Sequence, residues 1–139
     1  MKNDYSSVFK VWGIRKRILL NNTSEIDLIT VNKDCYCSTH WHDWKINKFV
    51  CLEGKIKIES EYGEVILRPG EEFEIRPPMV HRFFGIENSR VIELAYVDTG
   101  RIDDEDIHRI VQGGKVIKGK EISLVDLQKD SLLGFNQGK

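Results

Sequence analysis

The chain has little cysteine, proline or methionine: 3, 3 and 2 residues respectively among 139. Cys35, Cys37 and Cys51 are odd in number and lack the paired C-x-x-C spacing of a zinc ribbon, which argues against a disulfide framework and a thiolate metal site. They are expected as buried or partly buried thiols in a reducing compartment, with Cys51 facing the interior. No apolar run approaches the ~20 residues a membrane helix needs. The polar N-terminus lacks the apolar segment of a secretory leader. A cytoplasmic protein with no membrane partner is therefore expected. Neither sign of charge dominates, with 21 Lys and Arg against 22 Asp and Glu, a net charge of -1. The one basic cluster, Arg15, Lys16 and Arg17, runs into an apolar strand rather than a basic helix, so no nucleic-acid partner is expected.

What is present is a globular composition, 40% hydrophobic and 31% charged, arranged with a period of two. Strands are predicted over 15–20, 26–31, 35–42, 48–52, 55–60, 65–68, 72–76, 80–84 and 91–97. Ile56 and Ile58 alternate with Lys55, Lys57 and Glu59, and Phe73 and Ile75 with Glu72, Glu74 and Arg76. Gly54, Gly63 and Gly70 mark tight reversals, and Pro69 and Pro77 sit at strand edges. Short strands separated by regular turn signals read as an all-β sandwich or barrel. A single domain over 1–139 is expected, with a core of about 10–98 and a C-terminal extension over 99–139. In that extension Asp103 or Asp104 is a candidate N-cap for one helical turn. Residues 116–117 and 122–127 are apolar enough for a strand or short helix. Exposed strand edges and the apolar tail point to a homodimer.

Three of the 4 histidines carry the strongest chemical signal. His40 and His42, two apart on a strand, face the same side, and His81 lies on a later strand after two turns. Imidazoles that converge from separate strands make a site for a divalent transition metal such as zinc, manganese, iron, nickel or copper. The alternative is three histidines hydrogen-bonded at the mouth of a barrel without a metal. His108, in the acidic segment after residue 98, reads as a surface residue.

Residues 37–54 and 63–83 resemble the two motifs of the cupin superfamily. The family's first motif is a glycine, His-x-His, a glutamate and a closing glycine; its second is a glycine, Pro-x-Gly, a histidine and then an asparagine. Here His40, His42 and Gly54 match the first, and Gly63, Pro69, Gly70 and His81 the second, with Pro69 and Gly70 adjacent. Within the superfamily the chain is most similar to the cupin domain of type II mannose-6-phosphate isomerases. Val11, Trp12 and Gly13 resemble its Pro-Trp-Gly element, and Pro78 to Arg82 its Pro-His-Arg segment. Residues 91–97 and 100–109 are similar to its last strand and the acidic segment that follows. The resemblance runs from about residue 10 to 110.

The resemblance implies a cupin-type double-stranded β-helix, a jelly-roll barrel, and a metal held by His40, His42 and His81. Asn47 stands where the family has its glutamate ligand. A neutral amide is the weaker ligand and cannot act as a base. Asp43 is the alternative fourth ligand if the connection bends inward. The implied activity is on a sugar or sugar phosphate, by isomerisation or epimerisation. A three-histidine dioxygenase or lyase and a non-catalytic binding or structural cupin are the competing classes. Glu93, if its side of the strand faces inward, and Lys48 are the candidate catalytic bases. Arg82, with Arg17, Lys45 and Arg76, is the candidate clamp for a phosphate or carboxylate. Tyr36, Trp41, Trp44 and Phe83 are candidates for the mouth, and Trp12 for core or interface.

Overall fold

The computed structural model describes residues 7–124. Its first half comprises β1 (Ser7–Lys10), β2 (Gly13–Leu20), β3 (Ser24–Val31), β4 (Cys35–Tyr36), β5 (Thr39–Trp41), β6 (Ile46–Glu53) and β7 (Ile56–Ser60). There follow β8 (Gly63–Leu67), β9 (Glu72–Ile75), β10 (His81–Gly85), β11 (Ser89–Tyr96), β12 (His108–Val111), β13 (Gly114–Ile117) and β14 (Lys120–Ser123). One sheet has six strands in the order β1-β2-β3-β11-β6-β9. The other has eight, in the order β12-β5-β10-β4-β13-β14, with β7 also on β10 and β8 on β7. Every pairing described is antiparallel, and among the described residues the two sheets do not close into one continuous barrel.

Register explains where the chemistry sits. In the six-stranded sheet, Ile29, Val91 and Cys51 are cross-strand partners, and all three are fully buried. They join Val31, Ile56, Ile58, Leu67, Phe83 and Trp12 in the main core. One row up, Arg17, Asp27, Glu93 and Phe49 are successive partners; one row further, Glu25, Ala95, Asn47 and Ile75. Side chains of cross-strand partners project to the same face. The inner face is therefore apolar at one end and polar at the other.

The predicted strands are found, with differences that have physical causes. The segment 35–42 is two strands rather than one, because β4 pairs with β13 and β5 with β12, and residues 37–38 between them belong to neither strand. Strand β1 lies ahead of the first predicted strand and pairs with β2. Asp103 caps a turn, not a helix: its Oδ1 accepts the Glu105 N–H at 2.9 Å, its carbonyl the Asp106 N–H at 3.1 Å, and the chain then enters β12. Beyond residue 98, β12 and β13 are built into the eight-stranded sheet. Residues 125–127 of the predicted apolar stretch lie outside the described residues.

The three cysteines are free and buried, and burial pushes their thiols up, Cys37 to about 12. Gly13, which opens β2, has φ of 150°, and a Cβ there would lie 1.8 Å from the Thr30 carbonyl oxygen. Only glycine lets β2 approach β3 so closely at that point. Among the described residues, no helix is long and apolar enough to cross a membrane.

Candidate metal centre

His40 on β5, His42 just beyond it and His81 at the start of β10 meet at the polar end of the inner face. His40 and His81 are direct cross-strand partners. The three rings have centroids 4.5 to 5.4 Å apart, and their exposures are 8%, 4% and 2%. A nitrogen from each lies within 4.8 Å of the others.

The backbone fixes which nitrogens face one another. His40 Nδ1 lies 2.8 Å from the Ser38 carbonyl, His42 Nδ1 2.7 Å from the Asp106 carbonyl, and His81 Nδ1 2.9 Å from the Met79 carbonyl. A carbonyl can only accept, so each Nδ1 donates its proton and the lone pair is left on Nε2. Burial is the main force that lowers all three histidines, His40 to about 2, with His81 and His42 adding to the effect, and His42 to about 4. The rings are neutral at pH 7.

Among the described residues, His42 Nε2, His81 Nε2 and Asn47 Oδ1 are buried with no hydrogen-bond partner. Buried polar atoms are nearly always satisfied, so these bare atoms call for a partner from outside the chain. A donor set of three neutral imidazole nitrogens suits a borderline divalent cation. The residues present fit the metal.

Glu93 faces inward from β11. It accepts a hydrogen bond from Asn47 Nδ2 at 2.9 Å. Burial, and after it the Asp27 carboxylate, pushes Glu93 up to about 7. Beside it is a buried ion network. Arg17 Nε is 2.9 Å from Asp27 Oδ1, Arg17 Nη2 is 3.2 Å from Glu25 Oε2, and Lys45 Nζ is 3.6 Å from Glu25 Oε1. These groups, with His40 and His42, border an open cavity of about 1000 Å³.

Several candidates lie elsewhere. Lys48 follows the inward Asn47, so it projects to the opposite face of β6 and pairs with Glu72 at 3.4 Å; Lys10 and Lys45 are the lysines on the cavity. Arg82 follows the inward His81 and likewise faces out. It sits over the Tyr36 ring at 4.5 Å and binds Glu121 at 2.7 Å and Glu59 at 3.3 Å. Tyr36 itself is buried and stacked on Phe84, away from the cavity. Trp44 is 68% exposed and borders a separate small groove with Arg76, which pairs with Glu74. Trp41 stacks on His108, while Phe83 and Trp12 pack edge to face in the core and border the cavity.

Asp43 is not near the three rings, because its carboxylate binds His108 at 2.8 Å. With Asp106 these two make a second group of ligand-type atoms within 4.8 Å. Both Asp106 oxygens are occupied there by the backbone N–H groups of Asp43, Trp44 and Lys45, at 2.6 to 2.9 Å. Asp106 thus anchors the turn that carries His42 and Lys45 with its side chain, and orients His42 with its carbonyl.

The Asn47–Glu93 contact predicts the effect of restoring a carboxylate. In Asn47→Asp an ionised side chain cannot donate to Glu93 and instead faces it charge to charge. The metal-free protein is expected to lose about 2 kcal/mol. A divalent ion would relieve the repulsion, so the rise in Tm on adding zinc or manganese should exceed that of the wild type. Equal metal-free Tm values for the two proteins would contradict this arrangement.

Two antiparallel sheets with a His-x-His pair and a third histidine converging between them define a cupin. The sequence profile of the Mannose-6-phosphate isomerase C-terminal family matches residues 1–132, and the chain belongs to that family. The match also takes in most of the tail beyond residue 110, where the motifs had shown no resemblance. No curated protein shows a significant match. Among solved structures, KdgF from Halomonas sp. is similar at 19% identity and TM-score 0.61, over 70% of this chain and 90% of that one. An RmlC-like cupin from Shewanella frigidimarina aligns at 16% identity and TM-score 0.63, over 73% and 87%. Ectoine synthase from P. lautus aligns at 14% identity and TM-score 0.61, over 76% and 81%. At such identities the likeness is one of fold.

Proposed function

We propose that this is a metal-dependent cupin acting on a sugar or sugar phosphate, by aldose–ketose isomerisation or epimerisation. The observation that carries the reading is the set of buried, partnerless Nε2 atoms of His42 and His81 beside His40, with His40 and His42 on the wall of a cavity of about 1000 Å³. On this reading one domain holds the two sheets as a jelly roll with the site at its open end. His40, His42, His81 and the Asn47 amide oxygen would hold the ion. Such an ion supplies Lewis acidity toward a carbonyl or ene-diol oxygen.

The chain's own residues supply the proton chemistry. Glu93, pushed up to about 7, exchanges a proton near neutrality, and Asn47 fixes its carboxylate by donating to Oε2. Arg17 and Lys45 balance Asp27 and Glu25 on that wall, and Lys45 with Arg15 limits the electrostatic penalty of ionising Glu93. The apolar floor of Phe49, Phe83 and Trp12 keeps water from the underside of the site.

The test is metal analysis of tag-free protein together with an assay on mannose 6-phosphate. Stoichiometric zinc or manganese and interconversion with the ketose, without dioxygen uptake, are expected. Iron with dioxygen consumption would replace the reading with an oxygenase. Protein that takes up no metal from a divalent-ion buffer would overturn it.

A further inference from the structure

The cations on the cavity fall into two groups. Arg17 and Lys45 are matched by Asp27 and Glu25. Lys10 at the end of β1, Arg15 on β2 and Arg109 on β12 have no carboxylate at ion-pair distance among the described residues, and Arg15 Nε is buried without a hydrogen-bond partner. Arg15 is the cross-strand partner of inward Ile29, so it stands on the inner face. Arg109 is the partner of His40, so it projects to the same side as that imidazole.

The three are close enough to act on one another. The Lys10 ammonium is held below its ordinary value by burial first, then by Arg15 and Arg109. The acids that act on Lys10, Glu93 and Asp27, are engaged by Asn47 and Arg17. Three like charges drawn from three strands into one lip of a cavity repel in the empty state and are relieved by an anion.

We propose that Lys10, Arg15 and Arg109 form an oxyanion subsite that binds the phosphate monoester or carboxylate of a polyol ligand whose other end reaches the three histidines. The assignment deepens the sugar-derivative reading and rests on it. Two guanidinium forks and one ammonium match the three oxygens and double charge of a phosphate better than a carboxylate, which one fork would satisfy. Because Arg109 is paired in register with His40, the subsite fixes which end of the ligand is presented to the histidines. It is distinct from Arg82, which is committed to Glu59 and Glu121 on the outer face.

Isothermal titration with mannose 6-phosphate, mannose, glucuronate and inorganic phosphate tests the subsite on the full chain, metal-loaded and chelator-stripped. Wild type is expected to bind mannose 6-phosphate at least tenfold more tightly than mannose. Arg15→Gln/Arg109→Gln should reduce that advantage to within twofold, while metal content stays unchanged. Arg109→Gln alone, on the exposed β12, serves if the double variant does not fold, and should lose several-fold. Arg90→Gln, at an exposed pair with Glu53, is the control and should bind as wild type. Preference for glucuronate that the same variants abolish would support the subsite and assign it to a carboxylate. Equal wild-type affinity for mannose and its phosphate, or unchanged phosphate affinity in Arg109→Gln and Lys10→Gln, would overturn it. Inorganic phosphate binding to stripped wild type, lost in the variants, would leave the subsite standing even if the metal assay fails.

Discussion

His42→Ala is expected to lower divalent-metal affinity by about 100-fold or more and leave the protein folded. Loss of a partner that merely orients a ligand costs about 10–100-fold, and here a ligand atom itself goes. His42 is also the least replaceable of the three, because its Nδ1 is tied at 2.7 Å to the Asp106 carbonyl, which fixes the ring from a separate segment. The fold should persist because the main core cluster contains none of the three histidines. The lost Nδ1–H bond is worth about 1 kcal/mol, a small part of the ~5–15 kcal/mol that holds a domain together. Competition with a chromophoric chelator measures the affinity, and far-UV circular dichroism the fold. A variant that retained full metal content would remove the basis for a centre among these rings.

The largest effect on stability is expected at Gly13. In Gly13→Ala the new Cβ would meet the Thr30 carbonyl oxygen at 1.8 Å, and φ of 150° suits no side chain. Both problems are solved only by moving β2 off β3, the strand pair that carries Arg17 and Asp27. A loss of about 3–5 kcal/mol is expected, at the diagnostic end of single substitutions. It should appear as a Tm lower by about 10 °C or more. Gly63→Ala is the matched comparison, with φ of 124° but nothing within 4 Å of the added carbon, and it should cost only the backbone strain of about 1 kcal/mol. Equal Tm losses in the two variants would show that the close approach to Thr30 is not what constrains Gly13.

The histidine centre was legible because it depends on local rules: a spacing of two within a strand and turn glycines that bring His81 back. Gly54, Gly63 and Gly70 all have positive φ, as tight reversals require. The same rule of two, counted from inward Asn47 and His81, turns Lys48 and Arg82 to the outer face, against their expected roles as base and clamp. The acidic wall was not legible. Ile26 and Leu28 make the third strand read as apolar, yet Glu25, Asp27, Ile29 and Val31 are the buried set. Only Arg17 and Lys45, from other segments, make burial of those carboxylates tolerable, and no local pattern announces a partner that distant. The division of 35–42 was hidden for a related reason: it follows from β12 and β13, strands that lie far along the chain from the segment they split.

The row of Ile29, Val91 and Cys51 lies one step below the row of Asp27 and Glu93. Cohesion and reactivity thus occupy adjacent but separate tiers of the same strands. Charges on the upper tier can change in matched pairs, as Arg17 with Asp27 or Lys45 with Glu25, while the lower tier keeps the sheets together, so this scaffold is suited to acquiring new specificities by paired steps.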